Sequence, residues 1–340
     1  MKYISKRKPP YWWAITYSIL LVGFTSFVLL KVFVIQSTQV TDIKGSGIYL
    51  EEDKDNLNHK VQEQANENGE TYNSSDDQAA EKDTSVNLGD TTTKQVAEVT
   101  DYSYKDDNIS ITINEKQIDD TKVYIADIQL SNVKYLKTAL ANNAYGRNIK
   151  EKTSEMAEQN SAILAINGDY YGFRDYGYVL RNGVLYRSNY GKETDEAFVI
   201  YEDGNCEVVT ESDETAESLL ENGAVQILSF GPGLIEDGTI AVSQNEEVDQ
   251  AKRSNPRTAI GMIEPLHYVI VVSDGRTSES EGLTLYELAE VMKDSGCSEA
   301  YNLDGGGSST LWFNGKVINN PTDGRKLGER EVSDIVYIGY

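Results

Sequence analysis

Histidine is nearly absent from this chain, with His59 in a polar stretch and His267 in an apolar run. A folded domain with one histidine at most makes a Ser-His-Asp triad, a histidine-rich zinc site or histidine phosphotransfer improbable. Cysteine is equally scarce. Cys206 and Cys297 can form one disulfide at most, so no disulfide scaffold exists, and two buried thiols are an equal alternative. Excess positive charge is also missing: the formal net charge is -24 and the pI about 4.5, which argues against nucleic acid as a partner. No lysine follows the chain's glycine triplet at phosphate-loop spacing, and no loop has EF-hand spacing, so neither a nucleotide cofactor nor a metal is predicted. Chemistry must then rest on carboxylates, arginine, asparagine and tyrosine.

Long apolar runs are lacking too, except for one. Lys2, Lys6, Arg7 and Lys8 precede Tyr11-Trp12-Trp13 and an apolar run from Ala14 to Leu30, continued by Val32 to Ile35. This pattern predicts an uncleaved signal anchor over residues 12–35, a cytoplasmic tail at 1–11 and everything later outside the cell. Residues 36–101 are rich in Asp, Glu, Asn, Gln, Ser and Thr, a composition that buries too little apolar surface to offset ordering. They read as a flexible acidic stalk. One domain over residues 102–340 remains.

Within that domain, alternation over Ile109 to Ile113 and Lys122 to Leu130 predicts antiparallel strands joined around Asp119-Asp120. Hairpins are signalled at Asn182-Gly183, Asp203-Gly204 and Asn314-Gly315. Helices are expected near Lys152 to Asn160, Glu214 to Asn222 and Leu285 to Asp294, the last opened by a Thr284–Glu287 capping box. The fold class this predicts is α+β, a mixed and largely antiparallel sheet core with a few packed helices.

The stretch that organises the rest is Tyr301-Asn302-Leu303-Asp304-Gly305-Gly306-Gly307-Ser308-Ser309-Thr310, with apolar residues on both sides. Three glycines let a backbone approach a ligand closely, beside one carboxylate. A tight turn with Asp304 capping local amides is the competing reading. Buried strands also end at Asn167-Gly168-Asp169 and at Phe230-Gly231-Pro232-Gly233. Arg257 opens one strand and Arg276 follows the next, which in an antiparallel pair puts both guanidiniums at one sheet edge.

Taken in order, Ala165 to Tyr171, Phe230 to Gly238, Asn255 to Gly261, Ser273 to Arg276, Asn302 to Ser309 and Glu329 to Ser333 resemble the phosphodiester glycosidase family over about Ser131 to Tyr340. The resemblance implies an α-N-acetylglucosaminidase-like hydrolase that cleaves a sugar 1-phosphodiester at C1. It also implies a place in surface or exopolysaccharide metabolism. Asn167, Arg257, Asp274, Arg276, Asp304, Gly305, Gly306, Gly307 and Arg330 stand at matching motif positions, with Asn302 and Ser308 inside the same motif. The family commonly has a second glycine where this chain has Asp169, which narrows the site or adds a carboxylate.

The expected roles follow from charge. Asp304 stands near C1 as nucleophile or base, and Asp274 is its partner or orienting group. Arg257, Arg276, Arg330 and the glycine amides neutralise the departing phosphate. Tyr170, Tyr171, Tyr176 and Tyr178 are candidates for stacking on sugar. The alternative is a non-catalytic, membrane-tethered glycan-binding or assembly protein on the same fold.

Overall fold

The computed structural model describes residues 11–33, 37–38, 44–45, 97–246, 254–324 and 326–340, with 29, 31–33, 37–38 and 44–45 described by backbone only. Most of the expected stalk lies outside these residues. Trp12–Phe33 is one helix of 22 residues. Among the described residues no helix is long and apolar enough to cross a membrane, and the expected span 12–35 runs past them.

Two β-layers meet face to face. The larger is a nine-stranded sheet whose centre runs Gly233–Glu236, Glu299–Asn302, Thr258–Glu264, His267–Ser273, Thr121–Leu130 and Ile109–Ile118. Its edge strand Glu98–Val99 starts a few residues ahead of the expected boundary at Tyr102. Against it lie a five-stranded sheet containing Leu164–Asn167, Leu311–Phe313 and Asp334–Ile338, and a six-stranded sheet containing Glu196–Tyr201, Ala224–Leu228 and Val179–Arg181. Every strand ladder among the described residues is antiparallel, so the expected α+β core holds and the strands are less mixed than predicted.

The alternation seen in the sequence explains the layers. Ile109, Ile111, Ile113, Tyr124, Ala126 and Ile128 point into the space between sheets, where they meet Leu164, Ile166, Phe198, Leu311, Phe313 and Val336. Val123, Val269 and Val271 point the other way, onto Leu285, Leu288 and Met292 of helix Leu285–Asp294. That helix carries the expected capping box: the Thr284 hydroxyl accepts from the Glu287 amide and the Glu287 carboxylate from the Thr284 amide. Helices Thr153–Gln159 and Ala216–Glu221 cover the outer faces of the smaller sheets. The order across the molecule is helix, sheet, sheet, helix.

The predicted turns form. Asn182 and Gly183 both take positive φ between Arg181 and Val184, as do Asn314 and Gly315 between Phe313 and Lys316. Cys206 and Cys297 are both free and buried, which decides between the two readings of the cysteine pair in favour of separate thiols.

One end of the sandwich collects the motifs. Thr258 pairs with Val272 and Ala259 with Asn302, so residues 257, 274–276 and 303–304 emerge at the same edge. Asn167 ends its own strand opposite Ile335 in the facing sheet. The two layers are tied there.

Candidate active site

Asn167 supplies the tie. Its side-chain amide donates to the Asp304 carbonyl at 2.7 Å and to the Gly168 carbonyl at 3.1 Å, while its Oδ1 accepts from the Thr258 hydroxyl at 2.9 Å and the Thr310 amide at 3.3 Å. Every polar atom of this buried side chain is engaged, so Asn167 fixes the backbone of the Asp304 loop. Asn302 does similar work by donating to the Gly231 carbonyl at 2.7 Å.

The loop then bends over a crowded floor. Gly305 and Gly306 pass against Pro256, whose carbonyl accepts from the Gly306 amide at 2.8 Å. Gly306 has φ +64, and a Cβ on it would sit 2.6 Å from Nη2 of Arg276. Each glycine of the triplet thus has a close neighbour, the Pro256 carbonyl at Gly305, the Arg276 guanidinium at Gly306 and the Asp323 carboxylate at Gly307. Of the three glycine amides expected to face the phosphate, that of Gly306 is taken by the Pro256 carbonyl, while the Ser308 and Ser309 amides bond to the carbonyls of Gly305 and Gly306.

Asp304 is 9% exposed and held from one side. Its Oδ2 accepts from the Ser308 hydroxyl at 2.6 Å and from Nη2 of Arg330 at 3.0 Å. Arg330 also donates to the Ser308 hydroxyl and to the Gly305 carbonyl, clamping both ends of the turn. Burial pushes the Asp304 carboxyl above the usual carboxylate range, opposed by Arg330, the Ser308 hydroxyl and the more distant Arg174. The result is a carboxylate kept basic in a dry setting.

Beside it opens a cavity of about 160 Å³ lined by Asp304, Ser308, Arg330, Asp169, Tyr170, Phe173, Lys150 and Ser333. Arg276, exposed as a residue, bonds to Asn255 and lies close enough to Arg330 for the two charges to oppose each other; partial burial of its guanidinium first, then Arg330, pulls it down. Two guanidiniums thus stand near Asp304, while the same lining also carries Glu331, which pairs with Lys150 at 3.3 Å.

Asp169 reaches the cavity wall but is also fully committed. Its Oδ1 accepts from the Tyr171 amide at 2.9 Å, and its Oδ2 from Arg181 at 2.7 Å and the Ser229 amide at 3.0 Å. Arg181, 2% exposed, bridges onward to Asp334 at 2.8 Å. Burial raises the Asp334 carboxyl, Arg181 lowers it, and Asp169 raises it again. Gly168 belongs to this cluster because a Cβ there would lie 2.3 Å from Oδ1 of Asp334.

The structure therefore brings together Asp304, Ser308, Arg330 and Asp169 at one cavity, with Arg276 over the adjacent glycine. It does not bring Asp274 there. Both Asp274 oxygens accept from Asn320, one from its backbone amide at 2.7 Å and one from its side chain at 3.0 Å, so this carboxylate holds the 319–323 loop. Arg257 is 3% exposed and its Nε donates to the Leu283 carbonyl, away from the cavity lining. Tyr171 and Tyr178 are buried among core residues, whereas Tyr170 stacks on Phe173 at 4.6 Å and Tyr176 stays 36% exposed.

Sequence reasoning missed Lys150, Phe173, Arg174, Arg181 and Ser333. Arg181 flanks the Asn182-Gly183 hairpin, and a lone arginine inside a run of buried residues is itself a sign of a buried counter-charge.

The phosphodiester glycosidase family model matches residues 160–339. The chain is 34% identical over 202 residues to the SPbeta prophage-derived uncharacterized protein YomE of Bacillus subtilis, covering 58% of this chain and 31% of that protein. It is 30% identical over 175 residues to the N-acetylglucosamine-1-phosphodiester alpha-N-acetylglucosaminidase of Mus musculus, covering 47% and 33%. The chain thus spans about a third of the length of these relatives. Among solved structures, the pro-peptide-inhibited catalytic domain of the zebrafish N-acetylglucosamine-1-phosphodiester alpha-N-acetylglucosaminidase superposes with a TM-score of 0.54 at 23% identity, over 68% of this chain and 83% of that one. At that identity the likeness is one of fold.

Proposed function

Because the chain belongs to the phosphodiester glycosidase family, we propose that it hydrolyses a sugar 1-phosphodiester at the bond between C1 and the phosphate oxygen. The observation that carries this reading is the Asp304 carboxylate, braced by Ser308 and Arg330 and set beside a cavity with cationic groups on its wall.

In the proposed reaction the C1–O bond breaks and its electron pair leaves with the phosphate, which stays as a monoester on the other alcohol. Oxygen from water ends on C1. Asp304 stabilises the positive charge that develops at C1, either by attacking it or by taking a proton from water. Arg330, with Arg276 and Arg174 farther out, neutralises the second negative charge that appears on the phosphate. A phosphate leaves readily, so the proposed reaction does not depend on strong protonation of the leaving group. N-acetylglucosamine is the sugar that the named relatives suggest.

The test uses the full chain and an N-acetylglucosamine 1-phosphodiester. Free sugar released by the parent chain and not by Asp304→Asn supports the reading. Release of sugar 1-phosphate, which requires P–O cleavage, overturns it.

We propose also that residues 12–35 tether the enzyme, with its catalytic domain outside the cell and its substrate a surface or exported polymer. The support is in the sequence, where four basic residues precede the apolar run. Alkaline carbonate extraction of membranes should leave the chain in the pellet, and its release into the supernatant counts against the tether.

A further inference from the structure

The turn from Tyr171 to Gly177 carries part of the Asp304 cavity wall. Phe173 lines that cavity, as does Tyr170 just before the turn. Arg174 comes next, with its guanidinium over the rings of Phe230 at 4.9 Å, Tyr170 at 5.7 Å and Tyr176 at 5.8 Å. Its charge also reaches Asp304, whose carboxyl it helps to lower. After the 3₁₀ turn Tyr171–Phe173 the chain enters no helix or strand until Val179. Carbonyls in such a stretch need donors from elsewhere.

Arg187 supplies them. Its Nη1 donates to the Tyr171 carbonyl at 3.1 Å and to the Arg174 carbonyl at 2.9 Å, and its Nε donates to the Gly177 carbonyl at 2.6 Å. Three carbonyls from the two ends and the middle of the turn thus converge on one planar fork, a geometry that suits a guanidinium and not an ammonium. Arg181, on the other strand of the same hairpin, is held by two carboxylates, whereas Arg187 turns its fork on backbone.

The hairpin delivers this side chain. Its Asn182-Gly183 turn sends the chain back so that Arg187 stands opposite Val179, with an irregular register between Val179 and Leu180. The Arg187 fork therefore lies beside the residues that lead into the first strand. Other anchors hold the flanks. Asp169 accepts from the Tyr171 amide, the Asn148 amide donates to the Gly172 carbonyl at 3.0 Å, and the Asn189 side chain donates to the Asp175 carbonyl at 2.9 Å. The Arg174 carbonyl is left to Arg187.

We propose that Arg187 is a positioning residue for the hydrolysis: by clamping the turn, it fixes the Arg174 guanidinium beside the Asp304 cavity, where charge develops on the departing phosphate. The assignment rests on the reading of Asp304 as the group at C1. Arg187 itself does not line that cavity, so it acts through Arg174.

The experiment is a double-mutant cycle on the full chain with an N-acetylglucosamine 1-phosphodiester. Arg174→Gln and Arg187→Gln should each lower kcat/KM by on the order of 10-fold, mainly through kcat, because the charge that Arg174 faces grows as the C1–O bond breaks. The double variant should lose little more than either single one, since a guanidinium no longer held in place has nothing further to lose. An unchanged rate in either single variant, or losses that multiply in the double variant, overturns the proposal. Thermal unfolding is read alongside, and if Arg187→Gln does not fold, Arg187→Lys takes its place in the cycle with the same outcomes. If the parent chain cleaves no diester, the glycosidase reading fails instead, and the clamp is read without turnover by limited trypsin digestion and mass spectrometry. Cutting between Arg174 and Asp175 that is faster by on the order of 10-fold in the folded Arg187 variant than in the parent chain supports the clamp, and equal rates overturn it.

Discussion

Two arginine–aspartate clusters lie within one end of this fold, and they have opposite characters. In one, Arg330 and Ser308 hold Asp304, and the Arg330 side chain is 38% exposed at a cavity. In the other, Arg181 joins Asp169 and Asp334 with side-chain exposures of 2% or less. The first keeps a carboxylate next to space. The second fills its space and fixes the turn from Asn167 to Tyr171 that supports the first. The same pair of residue types borders open space in one place and serves as foundation in the other, and what separates them is how much of the carboxylate the surrounding protein covers.

The sharpest way to break this contrast is Asp304→Asn, which keeps size and hydrogen bonding but removes the charge. Turnover should fall by roughly 10³-fold or more with little change in melting temperature, read by product release and by thermal unfolding. Arg181→Gln should do the reverse. It leaves Asp169 and Asp334 buried without their counter-charge and should cost about 3–5 kcal/mol of stability in denaturant titration.

Arg330→Gln tests the coupling within the active cluster. Burial raises the Asp304 carboxyl and Arg330 lowers it, so loss of the guanidinium should raise it further. If Asp304 acts ionised, activity is lost as pH falls through its pKa; the acid limb of kcat/KM should then move to higher pH in the variant, with a fall on the order of 10²-fold at the optimum. An unmoved limb assigns the titration to another group. Asp274→Asn should have the smallest effect on catalysis. It weakens the clasp on Asn320 by about 1–3 kcal/mol, seen as a lowered melting temperature with kcat retained.

Much of this was readable beforehand because it is local. Period-two alternation in Ile109 to Ile113, the Asn-Gly hairpins and the Thr284–Glu287 box depend on residues within a few positions of one another, so strands, turns and the longest helix of the domain emerge from the chain directly. The Asp304 loop stood out for the same reason. What stayed hidden was partner choice across the fold: Asp274 and Asp304 each follow a buried strand and precede glycine, yet one is answered by Asn320 and the other by Arg330. Arg181 looked like a hairpin flank because its two carboxylates are 12 and 153 residues away.

By itself, then, the sequence determined the antiparallel β-rich domain and the motif order that marks its family, and it offered Asp304 and Asp274 as candidate carboxylates. Only the tertiary structure decided which charged groups share a cavity and which are walled in. The reason is physical: secondary structure follows from backbone sterics and neighbouring side chains, whereas the character of a carboxylate follows from the water it has lost and the donors it has gained, and both are set where distant segments pack.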